Sequence, residues 1–107
     1  MSWIALLCWF LAGAFLANAV PHFVSGVMGR PFQSPFARPP GEGLSSSVVN
    51  VAWGFANFIA FYLLAFQVGT FDLHNILDIG VFALGALGMA LFCARHFGRF
   101  HGGNMPA

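Results

Sequence analysis

The chain has 107 residues, 59% of them hydrophobic and only 7% charged, with a formal net charge of +1. Soluble domains carry about 25% charged residues, and a chain this short buries only about two thirds of the surface it exposes when unfolded. So little charge cannot cover the remainder in water, and a net charge near zero with no basic stripe excludes a nucleic-acid binder.

The first apolar run is Trp3–Val20, WIALLCWFLAGAFLANAV. It approaches the roughly 20 residues that a membrane-spanning helix needs. Ala17-Asn18-Ala19 fits the small-residue cleavage pattern of a signal peptide, but no Lys or Arg precedes the apolar run. The segment is therefore expected to be a retained helix. Pro21 disfavours helical geometry at Val20 and predicts the helix end there.

Residues 21–44 follow as a loop holding five of the six prolines, together with Arg30 and Arg38. Its first part, HFVSGVMG, is apolar with two glycines; its second, RPFQSPFARPPGEG, has Pro after Arg30, Ser34 and Arg38. Each X-Pro step favours extended or turn geometry, so a structured, polyproline-like segment is expected and not a floppy tether. Two readings stand side by side: an interfacial loop covering the helix ends, or a re-entrant element formed by HFVSGVMG and buried in protein.

A second span is read over Val48–Val68, with Ser45-Ser46-Ser47 supplying N-cap hydroxyls. The short connection GTFDLHN leads to a third, Ile76–Phe97, closed by Gly98. So short a connection predicts that spans two and three are antiparallel neighbours. The fold class expected is an all-α membrane protein, one domain over 1–107, with three transmembrane helices.

Orientation follows from Lys and Arg. Three spans put loop 21–44 and the C-terminal tail on one side, with Arg30, Arg38, Arg95 and Arg99. The other side holds Asp72, His74 and Asp78 and no Lys or Arg. The expected location is the bacterial inner membrane, with the N-terminus outside and the loop and C-terminus cytoplasmic.

Polar and small residues inside the spans mark the candidate sites. Asn18 and Asn50 lie at similar depth near the cytoplasmic side, and Asn57 shares the face of Asn50 with Gly54 between them. Lipid cannot satisfy an amide, so these side chains should point at protein, as interhelical links or as a polar pathway. Gly13 and Ala17 in span one, and Gly85 and Gly88 with Ala86, Ala90 and Ala94 in span three, form close-approach faces. His74 and Asp78, four residues apart, make a candidate outer polar site; adding Asp72 gives three metal-ligand types, but in no tight motif. His22, His96 and His101 gather on the loop side without the two-histidine geometry that haem would demand. Cys8 and Cys93 fall near opposite faces, so no disulfide is expected. No catalytic motif is present, so no catalytic or metal residue is assigned, and no cofactor is expected beyond bound lipid. In the loop, His22, Phe32 and Phe36 interleave with Arg30 and Arg38. The phenylalanines can sink to the acyl boundary while the arginines bind lipid phosphates or a partner's carboxylates.

The run from Asn18 to Gly54 carries Pro21-His22-Phe23, Ser34-Pro35-Phe36, Pro40-Gly41 and Asn50. It resembles the signature region of an uncharacterised family of small bacterial integral membrane proteins. That resemblance implies a bacterial membrane setting and no particular activity.

The function expected is that of a small membrane protein acting by helix association, as a homo-oligomer or as an accessory subunit of a larger membrane complex. A homo-oligomeric channel or small-substrate transporter is the alternative, with the three asparagines lining its path. The partners expected are membrane lipids and another protein chain, not nucleic acid.

Overall fold

A computed structural model describes residues 2–106. Three helices carry the chain: α1 Trp3–Val27, α2 Ser47–Phe66 and α3 Ile76–His101. All three are long and apolar enough to cross a membrane. Between α1 and α2 a small hairpin pairs β1 Phe32–Gln33 with β2 Leu44–Ser45, antiparallel, Phe32 opposite Ser45 and Gln33 opposite Leu44.

Each helix starts on a side-chain cap. Ser2 Oγ accepts from Ala5 N, Ser46 Oγ from Val49 N, and Asn75 Oδ1 from Leu77 N and Asp78 N. These bonds satisfy amides that the first helical turn leaves without partners.

The end of α1 departs from the sequence expectation. The helix passes through Pro21 and stops six residues later, at Val27. Proline removes one donor, the one that would have reached the Ala17 carbonyl. Leaving the helix at Val20 would strip partners from several backbone groups in apolar surroundings, which costs far more. Gly29 supplies the stop. It sits at φ +75°, its N–H donates to the Gly26 carbonyl at 2.9 Å, and Arg30 N donates to the Ser25 carbonyl at 3.0 Å. This pair of bonds is the Schellman closure, which needs a left-handed residue that glycine adopts without strain. HFVSG belongs to α1, which removes the re-entrant reading. Likewise α3 continues past Phe97 to His101 and ends on Gly102 at φ +81°, while α2 ends at Phe66.

The arrangement around α1 is a second correction. Helix α1 packs along both α2 and α3, which run beside it and scarcely touch each other. Glycines set both contacts. A Cβ on Gly26 would lie 2.6 Å from Val51 Cγ2, and one on Gly54 would lie 2.7 Å from Phe23 N. Toward α3, a Cβ on Gly13 would strike the Phe82 carbonyl, and one on Gly85 the Phe10 carbonyl. Each pairing of α1 thus uses one glycine from each helix, letting backbones approach as membrane helices favour. The wedge left between α2 and α3 is filled near the 67–75 connection by rings. Phe61 meets Phe82 at 5.8 Å between centroids, and Phe71 meets Phe66 at 6.0 Å and Phe82 at 5.7 Å. Trp9 closes that end, 2% exposed, with its indole N–H on the Val68 carbonyl at 3.3 Å.

Candidate functional site

At the opposite end the rings of Trp53 from α2 and Phe97 from α3 flank His22 of α1. The hairpin roofs this end, and α1 forms its floor. Asn50 holds this end together. Its side chain is fully buried. Nδ2 donates to the carbonyls of Phe32, Ser45 and Ser46 at 3.1, 3.2 and 3.1 Å. Oδ1 faces His22 Nδ1 at 2.8 Å. One amide therefore joins α1, α2 and both hairpin strands. The rings of Phe32 and Phe97 stand edge-on to His22, at 5.5 and 5.7 Å between centroids.

A second layer lies deeper. Asn18 Nδ2 donates to Asn57 Oδ1 at 3.0 Å, and Asn57 Nδ2 donates back to the Trp53 carbonyl at 2.8 Å. The Cys93 thiol lies 3.6 Å from Asn18 Oδ1, so this layer links all three helices. Toward the hairpin, α3 contributes two histidines. His96 Nε2 meets the Gly41 carbonyl at 2.7 Å, and His101 Nε2 meets Gln33 Oε1 at 2.7 Å with its ring stacked on Phe32. Within the hairpin Ser34 Oγ meets Ser45 Oγ at 2.5 Å and accepts from Phe36 N at 3.1 Å. Arg99 and Glu42 add a half-exposed ion pair at 3.7 Å, worth little by itself.

An open cleft of about 280 Å³ lies beside these bonds under the hairpin, lined by Asn18, His22, Trp53, Phe92, His96 and Phe97 among others. A separate, wider apolar groove runs between α1 and α3, with Ala17, Ala86, Ala90, Ala94 and Gly98 along it.

The structure brings Asn18, Asn50, Gly54 and Asn57 together against α1, and places Gly13 and Gly85 at the α1–α3 contact. Gly88 stands apart, with nothing near the position a Cβ would take. The loop set divides in two. His22 and Phe32 are internal to the hairpin anchorage, while Arg30, Phe36 and Arg38 are exposed, Phe36 by 62%. His74 and Asp78 do not meet as a pair. Asp78 turns inward, 1% exposed, and its Oδ2 accepts from Asp72 N at 3.1 Å; His74 stays exposed, with its backbone N–H on Asp72 Oδ1. Among the described residues no group of three His, Cys, Asp or Glu is placed to hold a metal ion.

Sequence reasoning did not select Trp53, Gln33 or Ser34 for this end. The Ser-Pro step at 34–35 signals a turn, but nothing local says that its hydroxyl faces Ser45. No protein-family model, curated protein or solved structure matches the chain, so the site rests on its own geometry.

Proposed function

We propose that the chain is a multi-pass protein of the bacterial inner membrane that works by helix association, as a homo-oligomer or as an accessory subunit of a larger complex. The observation that carries this reading is a contrast between two sets of residues. The amides inside the spans, Asn18, Asn50 and Asn57, are bonded to one another and to the backbone within the chain. The small residues Ala86, Ala90 and Ala94 line an open apolar groove instead. Amides closed on their own chain do not line a pathway, which favours association over a channel or transporter. Small residues on an open face allow another helix to approach.

The basic side chains support the orientation. Arg99 of α3 reaches Glu42 of the hairpin, so the hairpin and the end of α3 share one side with all four arginines. That side is assigned to the cytoplasm by the positive-inside rule. The exposed Phe36, Arg30 and Arg38 then face the headgroup layer, ring toward acyl chains and guanidinium toward phosphate.

The test is native mass spectrometry of the complex extracted gently from membranes, with and without Ala90→Leu plus Ala94→Leu. Fixed stoichiometry with itself or a foreign chain, lost in the double variant, is expected. A bare monomer from wild-type membranes would count against the reading. Flux of protons or small anions through liposomes holding the purified chain would move the assignment to a channel.

A further inference from the structure

The cleft beneath the hairpin holds unused hydrogen-bonding capacity, and its sign can be worked out from the partners. The Asn50 amide nitrogen faces three carbonyl oxygens, which only accept. Its Oδ1 therefore faces His22 and must accept in turn, so His22 Nδ1 carries the hydrogen. In the neutral ring Nε2 is then a bare acceptor. It has no protein partner, although His22 is only 2% exposed and lines the cleft. His96 repeats the arrangement with its nitrogens exchanged. Its Nε2 meets a carbonyl, Gly41 O, and so donates, leaving Nδ1 as the acceptor. Both rings line the cleft, His22 fixed by Asn50 and His96 by the Gly41 carbonyl.

The remaining walls choose the ligand. Phe92 and Phe97 present rings, Trp53 presents a ring whose buried indole N–H has no partner, and none of the lining residues is Asp, Glu, Lys or Arg. A charged ligand would lose its hydration with no counter-charge to replace it. At about 280 Å³ the cleft lies at the lower edge of the roughly 300–1,000 Å³ typical of small-molecule sites. It suits a single ring. Phe92 at the lip is 60% exposed, and α3 is long and apolar enough to cross a membrane, which would turn this entrance toward lipid. We propose that this cleft binds a neutral, membrane-soluble hydroxyl compound of the phenol or hydroquinone class, its O–H donating to His22 Nε2 and its ring lying among Trp53, Phe92 and Phe97. The site is complete within one chain and stands whether or not the chain oligomerises.

The probe is phenol, compared with anisole, which keeps the ring and lacks the O–H. The full chain in lipid nanodiscs, with nitrogen-15 histidine, is read by NMR. Without ligand, His22 should show a protonated Nδ1 and an unprotonated Nε2. Phenol should shift the Nε2 resonance saturably and bind about tenfold more tightly than anisole, the worth of one hydrogen bond to an otherwise unpaired group. Phe92→Ala, at the exposed lip, should weaken phenol several-fold without disturbing the His22–Asn50 pair. A hydrogen on Nε2 in the free protein would overturn the proposal. So would equal affinity for the two probes, or a His22 signal unmoved by phenol.

Discussion

At the scale of single residues, Asn50 is the most connected polar side chain in the molecule. Replacing it with Leu would strand the His22 N–H and take the side-chain donor from the Phe32 and Ser45 carbonyls, while the Ser46 carbonyl keeps the backbone N–H of residue 50. The cost should be about 3 kcal/mol, since each stranded group loses roughly 1–3 kcal/mol less what relaxation recovers. Asn18→Leu strands Asn57 Oδ1 and the weak Cys93 S–H donor, and should cost about 1 kcal/mol, typical of a single interhelical hydrogen bond in a membrane. Reversible unfolding in mixed micelles would rank the two, and equal losses would deny Asn50 its place as the hub. That both amides turn toward protein was legible in the sequence, because lipid offers an amide no partner. The partners were not. Asn50 bonds the Phe32 carbonyl, 18 residues away, and a backbone carbonyl carries no sequence signature. His74 and Asp78, a candidate outer site by spacing, bond elsewhere for a related reason. Their spacing allows the pair on a continuous helix, but α3 begins at Ile76, which leaves His74 outside it.

Among the helices, the punctuation was misread in one place and legible in others. Pro21 looked like a stop, and Gly29 is the stop. Gly29→Ala puts a Cβ on a left-handed residue with open space around it, so the penalty is conformational alone, about 1 kcal/mol. The glycines of α3 separate sharply. Gly85→Ala drives a methyl into the Phe10 carbonyl and should cost about 1–3 kcal/mol as α1 and α3 are forced apart. Gly88→Ala meets nothing and should stay within about 0.5 kcal/mol. Thermal unfolding of the purified variants checks all three; a Gly85→Ala protein as stable as wild type would contradict the close α1–α3 approach. Spacing alone marks both Gly85 and Gly88 as small. Which of them meets a neighbour depends on how α3 is rotated about its axis, and several side chains from two helices decide that together.

For the molecule as a whole, the orientation prediction uses cysteines placed at Thr70 and Met105, one at a time, after Cys8 and Cys93 are changed to Ala. A membrane-impermeant maleimide added to spheroplasts should label position 70 and spare position 105 until the membrane is opened; the reverse pattern would invert the assignment. The sequence by itself determined that there are three long apolar segments, that they hold a few amides and glycines, and that every arginine falls toward one side. These are properties of composition and of distance along the chain, and transfer from water to lipid acts on them segment by segment. Only the tertiary structure decided that α1 lies between α2 and α3, although the short 67–75 connection suggested otherwise. The close glycine contacts put α1 against both neighbours, and the Phe61–Phe66–Phe71–Phe82 rings span the wedge the connection had to cross. Tertiary structure also turned a proline-rich loop into a roof. Its fastening groups, Asn50, His22, His96 and His101, come from three helices and meet only when those helices pack.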